Sequence, residues 1–196
     1  MSARTTRGSG RRLRRARRAA AASGIVVLVL AAVWLALCVR YVAHPRIDPV
    51  ERVDALYVLG PLETRIEPAL ALMDAGAAPL MLATTSVDAA TGRPYFTQYC
   101  GTSRPGYRIE CVLPDPYQTA GEAALLGELV RQRGWTKVAI LASTAQAERA
   151  RLLMGRCVPA TVLVWDYREP RTPAAWLSEF VHQSGGFVAA RLDPAC

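Results

Sequence analysis

Histidine is almost missing from this chain: there are two, His44 in a proline-bearing stretch and His182 in a helical pattern near the C-terminus. A Ser-His triad or a histidine-rich metal centre therefore has no material at the strand-helix corners, and no metal site is expected. Also missing are a G-x-G-x-x-G turn after the first apolar run, a Walker A loop and a G-x-S-x-G elbow. Nucleotide-cofactor and serine-hydrolase readings fall away, and the residues assign no cofactor. Acidic residues are absent from the first 40 positions, since all 16 Asp and Glu lie beyond Arg40.

That N-terminal region instead carries eight arginines in its first 18 residues, Arg4, Arg7, Arg11, Arg12, Arg14, Arg15, Arg17 and Arg18. Such a composition buries no core, so residues 1–18 are expected to form an unstructured basic tail. Ala19 to Val39 then runs 21 residues without a charge, about 31 Å as a helix, which matches a bilayer's hydrocarbon thickness. Trp34 and Tyr41 stand as interfacial anchors and Arg40 closes the segment. The positive-inside rule places the N-terminus in the cytoplasm and the remainder outside, as a single-pass membrane protein. A cleaved signal peptide fits less well, because the apolar stretch is long and no small-x-small cleavage site follows it. An arginine run abutting such a span is a topology signal or a contact to anionic lipid, so no nucleic-acid partner is expected.

The 24 Lys and Arg less those eight leave 16, equal to the acids, so the part beyond the span is formally neutral and the basic pI belongs to the tail. One of five cysteines, Cys38, falls in the span, leaving Cys100, Cys111, Cys157 and Cys196 for an oxidising compartment. Four cysteines allow three connectivities. Cys100 with Cys111 closes a short loop and Cys157 with Cys196 ties down the C-terminus, and these pairs are favoured over buried free thiols.

Residues 40–52, with His44-Pro45 and Asp48-Pro49, read as a linker. In residues 53–196, short apolar runs (Ala55 to Leu59, Leu80 to Ala83, Val138 to Leu141, Thr161 to Trp165) have the character of strands buried on both faces. Between them Ile66, Leu70, Met73 and Ala77 follow helical spacing, as do Leu125, Leu126, Leu129 and Val130, with Gly76 and Gly134 as stops. The alternation predicts an α/β domain: a three-layer, doubly wound, mostly parallel sheet with right-handed crossovers. Val87 to Gly106 reads as an irregular insert and Tyr107 to Leu113 as an additional half-buried strand. Thr172 caps a last helix that starts at Pro173 and presents Trp176, Leu177, Phe180 and Val181 as its apolar face.

In open α/β sheets ligands bind beyond the carboxyl ends of the strands, which directs attention to the handovers from strand to helix. Three of these resemble one another: Gly60-Pro61-Leu62-Glu63-Thr64-Arg65, Gln118-Thr119-Ala120-Gly121-Glu122, and Ser143-Thr144-Ala145-Gln146-Ala147-Glu148-Arg149. Each contains a capping-box pattern, Thr64 with Glu67, Thr119 with Glu122, and Ser143 with Gln146, which helix starts favour for stability alone. Helix N-termini aimed at one crevice also attract anions, and Arg65 and Arg149 stand in the first turns. Gly60, Arg65, Thr119, Glu122, Ser143, Gln146 and Arg149 are therefore the predicted ligand-binding set, with Glu122 and Glu63 as acid/base candidates should the site be catalytic.

At these corners the chain resembles the SanA/ElyC/YdcF-like family of bacterial envelope proteins over about residues 53–196. The shared motifs are Val58-Leu59-Gly60 with Thr64-Arg65-Ile66, then Thr119 to Glu122, then Leu141 to Arg151, where the family has V-T-S-x-x-H-x-x-R-A-R. Gly155-Arg156-Cys157 and a final cysteine like Cys196 are similar to actinobacterial members. Gln146 stands where the family has histidine, Ala83-Thr84-Thr85-Ser86 replaces a glycine-rich turn, and Pro61 and Glu63 occupy the first turn. Glutamine cannot act as a general base near neutral pH. The resemblance implies a Rossmann-like fold, an N-terminal membrane anchor and a role in cell-envelope homeostasis, with a small anionic or envelope-derived ligand. The alternatives are an active envelope enzyme using a glutamate acid/base with arginine anion clamps, and a non-catalytic adaptor docking other envelope proteins.

Overall fold

The computed structural model describes residues 7–88, 90–192 and 196. It divides into two compact units, Met1–Arg40 and Tyr41–Cys196. The helix α1, Arg7–Cys38, makes up the first, and the π-helical turn over Val39–Ala43 that follows it runs on into the second. The helical stretch Ala16–Ala43 is long and apolar enough to cross a membrane. Residues 7–18 are helical, where composition predicts an unstructured tail; the first six residues of that tail lie outside the described residues. Arginine is a good helix former, and a helix already nucleated by the apolar span extends at one hydrogen bond per added residue.

The second unit is a mixed α/β domain. Its strands are β1 (Ala55–Val58), β2 (Leu80–Thr84), β3 (Ser86–Val87), β4 (Pro94–Tyr95), β5 (Ser103–Arg104), β6 (Tyr107–Val112), β7 (Lys137–Ser143) and β8 (Thr161–Tyr167). Its helices are α2 (Ile66–Asp74), α3 (Thr119–Arg133), α4 (Ala147–Cys157) and α5 (Pro173–Leu192). Six strands form one sheet in the order β5-β6-β2-β1-β7-β8, parallel throughout except for the β5–β6 pair. All four apolar runs read as strands are strands, and Gly76 and Gly134 adopt the positive φ that ends the helices before them.

Strand residues alternate between two cores. Tyr57, Leu82, Ile140 and Val164 pack with Leu126 and Val130 of α3 and Leu153 and Met154 of α4 on one face. Leu56, Met81, Leu141 and Trp165 pack with Ile66, Leu70 and Met73 of α2 on the other. Burial on both faces explains why these strands are nearly uninterrupted in apolar residues.

Four expectations need correcting. The insert over residues 87–106 is partly regular, with β3 and β4 paired antiparallel and β5 extending the main sheet. Leu113, read as the last residue of a half-buried strand, lies beyond the end of β6 and is exposed. In α5, which continues past Gly185-Gly186, Leu177 and Val181 are exposed, while Phe180, Gln183 and Ala190 are buried. Finally, the linker is docked onto the domain: Asp48 N–H donates to Val164 O (3.0 Å), Trp165 Nε1 donates to Pro49 O (3.1 Å), and Val53 N–H donates to Ala77 O (2.9 Å). Prolines exclude repetitive structure there, yet they leave the intervening groups free to bond an edge strand.

Both favoured disulfides are present, Cys100–Cys111 and Cys157–Cys196, and Cys38 is outside them.

Candidate functional site at the carboxyl edge of the sheet

Parallel pairing brings the carboxyl ends of β1, β2, β7 and β8 to one edge, and with them Gly60, Thr84, Ser143 and Tyr167. Gly60 is the centre. Its N–H donates to Glu122 Oε1 (2.7 Å), and its carbonyl accepts from Arg65 Nη1. A Cβ at position 60 would meet Tyr117 Oη at 2.9 Å and Thr84 Cγ2 at 3.2 Å, so a larger residue there would displace the Tyr117 hydroxyl. Arg65 also donates to Gln146 Oε1 (2.5 Å) through Nη2 and to the Tyr167 hydroxyl (3.4 Å) through Nε. Ser143 Oγ donates to the same Gln146 oxygen at 3.4 Å. Five of the seven predicted residues, Gly60, Arg65, Glu122, Ser143 and Gln146, thus belong to one hydrogen-bonded network drawn from three handovers.

The capping boxes, by contrast, do not form. No side chain caps α2, α3 or α4. Thr64 Oγ1 bonds Pro61 O (3.3 Å) and Tyr167 Oη (3.1 Å) instead, and Glu67 is exposed. Glu122 turns inward to Gly60 and to Thr84, whose hydroxyl donates at 3.1 Å. An inward carboxylate gains tertiary partners that a local cap cannot supply.

Glu122 and Arg65 are both buried, at 5% and 3% exposure. Burial holds the Glu122 carboxyl above its ordinary value, opposed by the Gly60 N–H, the charge of Arg65, Thr84 and the charge of Arg149. Glu63 behaves otherwise: burial would raise it, but hydrogen bonds from Ser86 Oγ and Tyr95 Oη prevail and hold it below the ordinary value. It is a partner of the β3–β4 hairpin.

Thr119 and Arg149 line an adjoining groove of about 200 Å³ between the start of α3, α4 and α5, with Gln118, Leu153, Gly186 and Ala189. Arg149 Nε donates to Gln183 Oε1 (2.9 Å). Burial draws the Arg149 guanidinium below its ordinary value, while the charges of Glu122 and Glu179 act to raise it. A side chain at Gly186 would meet Arg149 Cδ at 2.8 Å, so this glycine leaves room for the arginine.

Residue-type reasoning did not single out Thr84, Tyr117, Tyr167 or Gln183. Thr84 and Tyr167 end strands, a signal that was present; Gln183 carries none, because its role depends on α5 packing along α4. Among the described residues no group of three or more His, Cys, Asp and Glu gathers to hold a metal ion. Comparison with protein-family models, with curated proteins and with solved structures finds no match to this chain.

Proposed function

We propose that this chain is a membrane-anchored, extracytoplasmic protein of the SanA/ElyC/YdcF-like kind, acting in cell-envelope homeostasis by binding a small anionic ligand at the carboxyl edge of a Rossmann-like, doubly wound sheet. The observation that carries the reading is the network itself: Arg65 and Glu122 hold Gly60 while Arg149 faces the adjoining groove. The parallel strands lie in the chain order 3-2-1-4-5, β6-β2-β1-β7-β8, and the order reverses between β1 and β7, where Gly60 and Ser143 stand. Ligands of doubly wound sheets sit at such a reversal. Two disulfides and an apolar N-terminal helix fit an anchored domain outside the reducing cytoplasm.

The test is a thermal-shift screen of phosphate- and carboxylate-bearing compounds on the detergent-solubilised full chain. A ligand at a hundredfold excess over its Kd stabilises by about 2.7 kcal/mol. Arg149→Ala is expected to abolish the shift and Arg65→Ala to weaken it. Equal shifts in all three proteins would refute the site.

A second reading, an envelope enzyme with Glu122 as acid/base, is favoured by its raised carboxyl in a closed setting. It predicts that Glu122→Gln binds the ligand but does not turn it over.

A further inference from the structure

The start of α3 is left open by the chain that leads into it. Gln118 is extended and offers no side-chain cap. The N–H groups of Thr119, Ala120 and Gly121 make no hydrogen bond among the described residues, whereas the next, of Glu122, donates to Gln118 O at 3.0 Å. A helix of 15 residues with unmatched N–H groups in its first turn carries partial positive charge there. Gly121 explains how the turn stays open on one side. A Cβ at that position would stand 2.0 Å from Pro116 O, so the incoming chain crosses the first turn against Gly121, while Gln118, Thr119 and Ala120 line the groove shared with α4 and α5.

An uncapped helix start is not in itself a site. Thr119 adds an independent observation: it is 8% exposed, it lines the groove, and its hydroxyl makes no hydrogen bond among the described residues. A hydroxyl buried without a partner is costly, and most buried side-chain polar groups have one. Arg149 is the other. Gln183 holds its Nε at 2.9 Å, and its Nη groups make no hydrogen bond among the described residues. Arg151 Nε is the one side-chain atom there that is both unbonded and sealed from solvent, so the Thr119 hydroxyl and the Arg149 Nη groups open onto accessible space.

We infer that the groove binds a phosphate monoester of a short, apolar alcohol, with the phosphoryl oxygens between the first turn of α3 and the guanidinium of Arg149. The inference rests on the anion-binding reading of the site and names the class of anion. Its donors belong to two elements and approach from two directions, along the axis of α3 and from α4. Three terminal oxygens set tetrahedrally on phosphorus meet both, whereas a planar carboxylate held bidentately by Arg149 leaves the helix N–H groups unmatched. The ester oxygen, on the fourth bond of phosphorus, leads to a wall of Leu153, Ala189 and Ala190, which suits carbon and not charge. The groove, at about 200 Å³, is smaller than the roughly 300–1,000 Å³ of drug-sized sites, so it admits a phosphoryl group with a few carbons and excludes a nucleotide.

The experiment titrates the detergent-solubilised full chain, isotope-labelled at nitrogen, with butyl phosphate, inorganic phosphate and pentanoate. Butyl phosphate is expected to move the amide resonances of Thr119 and Ala120. It should bind about tenfold more tightly than inorganic phosphate, which lacks the carbon chain, or pentanoate, which lacks the third oxygen. Thr119→Val removes the hydroxyl at constant shape and should weaken butyl phosphate about tenfold, the loss of one hydrogen bond to a charged group. Thr119→Pro removes the hydroxyl and one N–H and should weaken it about a hundredfold. Proline is favoured at the first helical position and requires an extended residue before it, which Gln118 already is, so this variant keeps the helix. Binding that both Thr119 variants leave unchanged, while Arg149→Gln abolishes it, keeps the anion site and overturns the inference. Pentanoate or inorganic phosphate bound as tightly as butyl phosphate, still through Arg149, likewise keeps the anion and overturns the monoester. If none of the three probes binds, or none depends on Arg149, both readings fail.

Discussion

Arg65 and Glu122 hold opposite polar ends of one residue: the guanidinium donates to the carbonyl of Gly60, and the Glu122 carboxylate accepts its N–H at 2.7 Å. The two charges communicate through this glycine and form no direct ion pair among the described residues. Burial raises the Glu122 carboxyl, so the folded chain binds that proton more tightly than the unfolded chain does. A raised folded value contributes stability below the ordinary value of 4.5, and that contribution is lost as pH rises through the folded value.

Glu122→Gln keeps an acceptor for Gly60 and Thr84 but cannot titrate. Relative to this variant the wild type is expected to lose Tm as pH rises from about 4.5. Thermal melts at a series of pH values check it, and parallel curves for the two proteins would rule out a buried, titrating carboxyl.

Asp48 titrates in the opposite sense. Burial acts to raise its carboxyl, but the Val164 N–H and Arg151 outweigh burial and hold it below the ordinary 3.8, so its stabilisation is present above that value and fades below it. Asp48→Asn should lower stability at neutral pH by roughly 1.5–3 kcal/mol, with the deficit shrinking in acid. Increased cleavage between Ala43 and Val53 in limited proteolysis would accompany it, since this side chain ties the entering segment to β8 and α4.

Two adjacent glycines in α5 should respond differently to alanine. A methyl group at Gly185 would meet open space, whereas one at Gly186 would abut Arg149 Cδ at 2.8 Å. Gly185→Ala should stabilise by about 0.5–1 kcal/mol through helix propensity. Gly186→Ala should forfeit that gain and weaken ligand binding by displacing Arg149. Equal Tm shifts and equal binding would refute the packing of α5 on α4.

Loss of the Cys157–Cys196 bridge, which spans 39 residues, should cost about 4 kcal/mol, and loss of Cys100–Cys111, which spans 11, about 3 kcal/mol, if chain entropy dominates. Denaturant melts of the double serine variants measure both. Non-reducing peptide maps should show these two cross-links and an alkylatable Cys38.

Orientation is decided by reporters. An enzyme active only outside the cytoplasm should work when fused after Cys196 and fail when fused before Met1. The reverse pattern would invert the topology.

Much of the fold was legible because its determinants are local or periodic. Apolar runs between helical repeats specify parallel strands buried on both faces, and an uncharged run of bilayer length specifies a helix that can span a membrane. The handover rule alone selected Gly60, Arg65, Glu122, Ser143 and Gln146. What residue types could not disclose was which partner each side chain prefers when local and distant ones compete. Glu122 and Thr64 have the spacing of caps, but the crevice offers a buried backbone N–H to the first and a tyrosine hydroxyl to the second, and these outweigh the local bonds. The docking of residues 46–53 along β8 and the placement of Gln183 against Arg149 depend on contacts over 100 and over 30 residues apart in sequence. Sequence by itself determined the apolar helix, the strands, the disulfide material and the edge where the handover residues gather. Only tertiary structure decided that residues 46–53 dock along β8, because the course of an irregular segment along a sheet follows from edge hydrogen bonds that no residue pattern encodes.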